Sequence, residues 1–404
     1  MNFRFNFQII NNNLAILLRF STLAVASLIA VAAVKLRGYS EFGEYLYVLA
    51  LFQISVSLIA SQNKDILIRA LKIHNEPTLS VSSVKKHLSI SVLQVIVACV
   101  IIYVFFNVLN LGAFRFSDEN LFLIFFPVLM VSKDCLTGIL LYKSKVNIVY
   151  LSQLSEGIIF VIFIITADID LVILNYISSF VALLILMSSV VLISRKKNIW
   201  SVGKNIGWVT YWEIYRNNIG AGILKTMVKR LEIPMITLLA NAEVTGIYKV
   251  FTQIFIPLTT IPDILVSQFV SDTNKSNFEI MLKHINKVGK RYFIIILAIT
   301  LTLAVPYLLY LELKIDLEIL AGFLLLMIAS YLIFLQWYSR LITYIFDSRY
   351  LLIAASLLAL VYLSSLFLLL WLPPMIALGF ANLLAYSVSL AYWRNVRMNL
   401  LSAP

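Results

Sequence analysis

Hydrophobic positions along this chain form long continuous stretches that are separated by short polar segments. Stretches of about twenty apolar residues match the thickness of the hydrocarbon core of a bilayer. A segment inside a membrane must satisfy its backbone hydrogen bonds internally, so each stretch is interpreted as a helix. The pattern predicts an all-α integral membrane protein of about twelve spans: 14–34, 45–63, 88–111, 120–142, 147–167, 171–193, 216–240, 247–270, 292–311, 318–338, 350–371 and 374–393.

Composition agrees with a membrane protein. Of the 404 residues, 61% are hydrophobic and only 13% are charged, whereas about a quarter of the residues in a soluble domain are charged. The net charge is +12, but its basic runs are short and lie between apolar spans without any nucleic-acid-reading motif. We therefore expect no nucleic acid partner and attribute the positive charge to cytoplasmic loops. Cys99 and Cys135 each lie within an apolar span and are interpreted as core residues.

The loops after even-numbered spans are basic, and the alternate loops lean acidic. The positive-inside rule therefore places both termini in the cytoplasm. The basic loops include Lys64, Arg69, Lys85, Lys143, Lys145, Arg195, Lys196, Lys283 and Arg349, and the outer loops include Glu41, Glu44, Asp118, Glu119, Asp168 and Asp170. Span 7 has the weakest hydropathy, but an even number of spans must separate the two basic loops near Arg195 and Lys283, so 216–240 is predicted to cross.

The chain resembles a repeat of half its own length. Phe42-Gly43-Glu44-Tyr45 precedes span 2, and Thr245-Gly246-Ile247-Tyr248 precedes span 8, a shift of 203 positions. Tyr142-Lys143-Ser144-Lys145 closes span 4, and Phe346-Asp347-Ser348-Arg349 closes span 10, a shift of 204 positions. We predict two lobes of six helices, 1–200 and 201–404, related by an axis along the membrane normal.

Sequence motifs of enzymes are not found. The chain has no GxxxxGK[ST] loop, no GxSxG turn and no HExxH helix. His74, His87 and His284 fall in basic cytoplasmic loops and are expected to be solvated. The outward loops are too short to house an active site, so the sequence predicts a protein that is not an enzyme and needs no cofactor.

Charged residues inside the spans are the candidate functional groups, because each costs about 2.5–3.5 kcal/mol at mid-membrane. In span 7, Lys225, Lys229 and Glu232 share one helical face, and Arg230 lies about 100° away. Pro234 cannot donate to the carbonyl of Arg230, which predicts a kink. The predicted substrate-binding cations are Lys225, Lys229, Arg230, Arg19 and Lys133. The alternatives are a Lys229–Glu232 pair and snorkelling of Lys225 and Arg19 to the inner interface.

Three acidic residues are candidate sites for a coupling ion. Glu156 in span 5, Asp263 in span 8 and Asp134 in span 4 lie within apolar stretches. Each could bind a proton or a sodium ion, the only small partner that the sequence suggests. Structural pairing with one of the buried cations is the alternative for each of them.

The segment 38–45, with the turn Glu41-Phe42-Gly43-Glu44-Tyr45, resembles the polysaccharide-transporter family of O-antigen flippases. Thr245-Gly246-Ile247-Tyr248 and the basic segment 64–69 extend the resemblance, which covers the chain in length, span count and halved organisation. That family belongs to the multidrug, oligosaccharidyl-lipid and polysaccharide exporter superfamily. No distinctive ion-binding signature accompanies the resemblance.

The resemblance implies two lobes in a V shape around a central cavity, in a bacterial inner membrane. The implied substrate is an oligosaccharide linked to undecaprenyl diphosphate, a unit for lipopolysaccharide or another polysaccharide, moved to the periplasmic leaflet by alternating access. Cations on spans 1 and 7 would hold the diphosphate while the lipid tail stays in the bilayer. A polysaccharide polymerase is a further candidate partner.

Three other functions stay open. A multidrug exporter of the same fold would favour an acidic cavity, whereas here the in-span cations slightly outnumber the acids. A membrane enzyme of polysaccharide assembly would need larger outward loops. A scaffold without a cavity would not explain clustered charges at mid-membrane.

Overall fold

The protein is almost entirely helical over the residues that the computed structural model describes: 2–60, 63–72, 79–108, 121–196, 200–201, 207–269, 278–280, 282–283, 293–295, 297–298, 302, 311, 317–339, 342, 346, 349–369 and 371–402. Its main helices are α1 (Asn2–Ala60), α2 (Asn63–Lys72), α3 (Val81–Tyr103), α4 (Phe126–Tyr142), α5 (Val146–Thr166), α6 (Leu171–Lys196), α7 (Trp208–Arg230), α8 (Glu232–Leu239), α9 (Ala242–Phe269), α10 (Leu317–Leu335), α11 (Arg349–Leu368) and α12 (Pro374–Ser402). The predicted all-α fold class is confirmed.

Helices long and apolar enough to cross a membrane recur along the described ranges. Seven meet both conditions: Leu17–Leu71, Val81–Val108, Leu121–Tyr142, Val146–Thr166, Leu171–Arg195, Arg349–Leu368 and Pro374–Leu400. Apolar side chains such as Leu93, Ile165 and Leu360 are more than 60% exposed, and lipid is the solvent that such a surface fits. The chain is therefore a multi-pass membrane protein, while the count of twelve spans and the cytoplasmic termini stay predictions.

A single glycine divides α1 into two helices. A straight helix of this length would extend about 88 Å, far more than one bilayer crossing requires. At Gly38 the backbone takes φ 87° and ψ 166°, a conformation that glycine adopts without steric cost. The sequence predicted a loop between the first two spans. The chain is instead helical on both sides of Gly38, so the break is limited to this one residue.

The first compact unit comprises Met1–Leu18 and Tyr45–Thr226. Within it α2 packs on α4, and α6 packs on both α4 and α5. Apolar side chains from α2 to α6 form one of its cores: Leu67, Leu71, Val84, Ile139, Leu140, Val149, Leu186 and Val190. The short strands β1 (Leu79–Ser80) and β2 (Trp200–Ser201) pair in parallel.

The second compact unit comprises Arg19–Glu44 and Met227–Pro404. Helix α12 packs against α10 and α11, and α10 packs against α9. Gly379 permits the close approach of α12 to α10, since a Cβ at this position would lie 2.7 Å from the Cβ of Leu325. The predicted lobes 1–200 and 201–404 stay a prediction.

Candidate functional site

Three of the predicted binding cations lie near the C-terminal end of α7. The backbone positions of Lys225 and Lys229 are helical, and their side chains lie outside the described residues. Arg230 is the last residue of α7, and its side chain is exposed. Because the C-terminal end of a helix carries partial negative charge, it favours a guanidinium there.

The predicted kink in span 7 is confirmed. Helix α7 ends at Arg230, Leu231 stands between the helices, and α8 begins at Glu232. Pro234 lies in the first turn of α8, where its missing N–H leaves the Arg230 carbonyl without the usual helical donor. The break therefore follows from the sequence.

Glu232, at the start of α8, is held by neutral donors from two other helices. The hydroxyl of Tyr248 in α9 donates to Oε2 at 2.9 Å, and Nδ2 of Asn382 in α12 donates to Oε1 at 2.8 Å. Arg230 and Lys249 both act electrostatically on this carboxylate. These hydrogen bonds from the second unit hold the Glu232 carboxylate in place, two residues after Arg230.

Glu232 was not among the predicted site residues. From the sequence it was interpreted only as a partner for Lys229. The Lys229 side chain lies outside the described residues, so that pair stays a prediction. A usable sequence signal existed in Asn382, an amide in the middle of the predicted span 374–393. Buried amides in membranes need a partner, and Glu232 supplies one.

In the first unit, a predicted binding cation and a predicted coupling acid are paired with each other. Nζ of Lys133 in α4 lies 2.6 Å and 2.7 Å from the two carboxylate oxygens of Glu156 in α5. The hydroxyl of Ser179 in α6 donates to Oε1 at 2.5 Å. Both charged side chains are about one-fifth exposed, at 22% and 21%. The cluster ties three helices together and neutralises one charge with another.

The remaining predicted residues are dispersed. Arg19 is partly buried in α1 and belongs to the second unit. Asp134 is partly buried beside Lys133, and Lys64 of α2 attracts it electrostatically. Asp263 lies on α9, with its side chain outside the described residues. Across the part of the chain that is described, no three His, Cys, Asp or Glu side chains gather in a group that could hold a metal ion.

The prediction that His87 is solvated was wrong. Its side chain is 1% exposed in α3, and Nδ1 lies 2.7 Å from the hydroxyl of Tyr211 in α7. Further along α3, Gln94 donates to the hydroxyl of Tyr215 and accepts from Asn63. The tyrosines supply an internal partner that hydropathy alone does not reveal, so these polar residues form a buried network. His74 and His284 lie outside the described residues.

Comparison with solved structures assigns the architecture. The fold matches the MATE multidrug transporter DinF-BH (TM-score 0.69, 12% identity, 98% of this chain and 96% of that chain). It matches equally a MOP superfamily transporter from Pyrococcus furiosus, whose binding pocket is described as reversed in polarity, suggesting a different function (TM-score 0.69, 12% identity, 98% and 96%). A third similar structure is the MATE transporter ClbM in complex with Rb⁺ (TM-score 0.60, 15% identity, 97% and 98%).

These matches show the fold alone. No family model matches the sequence, and no curated protein matches it. The chain therefore has the fold of the MATE transporters of the MOP superfamily over nearly its whole length. At such low identity, substrate and coupling ion must be argued from this chain's own residues.

Proposed function

We propose that this protein is a flippase that moves an anionic, lipid-linked oligosaccharide across a bacterial inner membrane by alternating access. The transporter fold supports the transport class, and the distribution of charge supports the anionic substrate. The observation that carries the proposal is the accessible Arg230 residue at the break between α7 and α8. Undecaprenyl diphosphate is the lipid carrier that the resemblance to the polysaccharide transporters implies, and its phosphate groups suit such a cation.

The guanidinium is suited to this role because it binds phosphate oxygens in a bidentate manner and stays charged in any protein environment. Lys225 and Lys229 precede it on the same helix. Among the side chains that the structure describes, Arg230 and Lys249 both act on Glu232, and one acid does not cancel two cations. In the first unit, by contrast, Lys133 and Glu156 neutralise each other. The surplus of positive charge therefore lies around α7, with Arg19 as a further candidate contact.

The same arrangement suggests how an ion gradient could be coupled to transport. Protonation of Glu156 would remove the charge that holds Lys133 and would free the ammonium group for an anionic substrate. Asp134 and Asp263 are the other candidate coupling groups, with a proton or sodium ion as the coupled species. A polysaccharide polymerase remains the proposed protein partner.

The proposal is tested by reconstitution. The purified chain is placed in liposomes with an undecaprenyl-diphosphate-linked oligosaccharide, and access of the sugar to an external probe is followed with and without an ion gradient. The Lys229→Ala/Arg230→Ala variant should lose at least about tenfold in rate, since a charge-assisted hydrogen bond contributes about 1.5–3 kcal/mol.

Arg216→Ala is the matched control. Arg216 is an exposed cation on the same helix, about 21 Å from Arg230 towards the N-terminal end. Its loss should leave the rate unchanged. Full activity of the Lys229/Arg230 variant would refute the site, and absence of movement under every gradient would refute the flippase.

A multidrug exporter is the second candidate function. The shared fold of the multidrug transporter DinF-BH favours it, as does the carboxylate of Glu232, which could bind a cationic drug. Cells that produce the chain would then accumulate less of a cationic dye, and Glu232→Gln would abolish that difference. Unchanged accumulation in producing cells would exclude this function.

A further inference from the structure

Two arginines near the C-terminal end of α12 lie without a partner of opposite charge. Arg394 is exposed and Arg397 is partly buried. Within the described part of the chain, neither side chain forms an ion pair or a hydrogen bond, and Nε of Arg397 is buried without an acceptor. A guanidinium has only donors, and a buried donor without an acceptor costs free energy. The two side chains therefore lack an acceptor that a ligand could supply.

The helices around α12 offer no acid to these arginines among the described residues. Helix α12 packs against α8, α10 and α11, and neither α11 nor α12 contains an Asp or a Glu. Glu318 lies in the first turn of α10, at the opposite end of that helix from Tyr338. Glu232 in α8 is bonded to Asn382, about 18 Å along α12 from Arg394. The positive charge at this end of α12 is therefore not neutralised by its neighbouring helices.

The ring of Tyr338 fixes the orientation of Arg397. Tyr338 lies just beyond the end of α10 and is 3% exposed. Cζ of Arg397 lies 5.3 Å from the centroid of this ring, which is a cation–π distance. Nε is the buried nitrogen of this side chain, and the terminal nitrogens stay accessible. Stacking thus covers one face of the guanidinium and leaves its planar edge for an anion.

The hydroxyl of Tyr338 adds a further donor beside the two guanidiniums. It is buried and has no hydrogen-bond partner in the described residues. Arg394 and Arg397 both act on this phenol electrostatically, and residues three apart share one face of a helix. Three donor groups therefore lie close together without an acceptor. A phosphate group supplies several acceptor oxygens and is bound by arginine in a bidentate manner.

The length of α12 places these donors at the level of the lipid headgroups. Its 29 residues extend about 44 Å, whereas the hydrocarbon core is about 30 Å thick. Trp371, just before the helix, is 78% exposed, and exposed indoles favour the membrane interface. Arg394 lies about 30 Å further along the helix than Pro374. Arg394 and Arg397 therefore reach the opposite interface, where phosphate groups of phospholipids lie.

We propose that Arg394, Arg397 and Tyr338 bind the phosphate group of an anionic phospholipid headgroup. The two guanidiniums bind the phosphate oxygens, the ring of Tyr338 orients Arg397, and the hydroxyl donates to the same group. The uncompensated positive charge selects an anionic lipid such as phosphatidylglycerol over zwitterionic phosphatidylcholine. The positive-inside rule assigns this headgroup to the cytoplasmic leaflet. The site is separate from the Arg230 site, and the inference does not depend on the transported substrate.

The experiment measures lipid binding by the purified, detergent-solubilised full-length protein. Native mass spectrometry compares the affinities for dioleoyl phosphatidylglycerol and dioleoyl phosphatidylcholine. The unmodified chain should bind phosphatidylglycerol more tightly, and Arg394→Gln/Arg397→Gln should weaken that binding by about tenfold or more, since it removes charge-assisted hydrogen bonds. Binding of phosphatidylcholine should not change. Tyr338→Phe keeps the ring and removes the hydroxyl, so it should weaken phosphatidylglycerol binding several-fold.

Lys145→Gln/Arg216→Gln is the charge-matched control. It removes two exposed cations outside the site and should leave the affinity for phosphatidylglycerol unchanged. Arg394→Gln alone alters only an exposed position, so its loss of binding cannot be attributed to misfolding.

Two results would overturn the proposal. Unchanged phosphatidylglycerol binding in every arginine variant, or an equal loss in the charge-matched control, would show that Arg394 and Arg397 form no specific site. Inorganic phosphate separates a headgroup from a free anion. Thermal stabilisation by inorganic phosphate, with no preference for phosphatidylglycerol over phosphatidylcholine, would overturn the headgroup as the occupant.

Discussion

Individual charged residues in this protein are distinguished by what holds them. The Glu156 carboxylate accepts from an ammonium and from a hydroxyl, whereas the Glu232 carboxylate accepts from a phenol and an amide. The ammonium of Lys133 bonds its carboxylate directly, whereas the hydrogen bonds of Glu232 described above come from neutral groups and Arg230 and Lys249 act on it through their charge. Loss of a partner should therefore have different consequences at the two sites.

Lys133→Ala should destabilise the protein, because it leaves Glu156 in the membrane without its cation. Breaking a buried ion pair costs about 3–5 kcal/mol, and partial exposure of this pair places the expected loss at the lower end. The apparent melting temperature in detergent should fall accordingly. Lys133→Met combined with Glu156→Gln should recover most of the stability, since neither charge then remains buried.

Ser179→Ala is the control for the same cluster. It removes one hydrogen bond to the carboxylate and retains the ion pair, so its effect on the melting temperature should be clearly smaller. If Lys133→Ala left stability unchanged but abolished transport, the lysine would serve the substrate and the pairing with Glu156 would be secondary.

At the scale of helices, the sequence was informative wherever a residue restricts the backbone. Pro234 predicted the break between α7 and α8, and the apolar stretches predicted the long helices. A break of only one residue at Gly38 could not be predicted, because the largely polar segment 35–44 is equally compatible with a loop. The pairing of Lys133 with Glu156 could not be predicted either. Helix periodicity indicates which residues share a face of one helix, but not which helices face each other.

Pro234→Ala tests whether the break between α7 and α8 serves transport. A donor at position 234 would bond the Arg230 carbonyl and join the two helices, since alanine restores the helical hydrogen bond that proline removes. Thermal stability should be equal or higher, while the transport rate should fall several-fold because Arg230 no longer ends a helix. Transport at the native rate in this variant would show that the break has no role.

Pro374→Ala provides the matched control for this substitution. Pro374 is the first residue of α12, where the missing N–H has no helical partner in any case. Neither stability nor transport should change. A comparable loss of transport in both proline variants would indicate a general effect on folding.

At the scale of the whole molecule, composition and hydropathy were sufficient for the membrane class and the helical fold. The repeat of Gly43 in Gly246 has a spatial counterpart, since Gly43 lies against the backbone of Ala242 and Gly246 lies against the backbone of Tyr39. Substrate identity was not accessible from the fold, because similar structures include both a multidrug transporter and a transporter described as having reversed pocket polarity. The predicted orientation in the membrane is based on the charge of the loops alone, so it needs its own experiment.

Helix α5 gives the sharpest test of orientation. Its 21 residues extend about 32 Å, the thickness of the hydrocarbon core, so its two ends should lie on opposite sides of the membrane. Lys145 before it and Ile169 after it are both exposed. In a Cys99→Ser/Cys135→Ser background, Ile169→Cys should react with an impermeant maleimide in cells with a permeable outer membrane, and Lys145→Cys should react only after lysis. The reverse result would invert the predicted topology and would place both termini outside the cytoplasm.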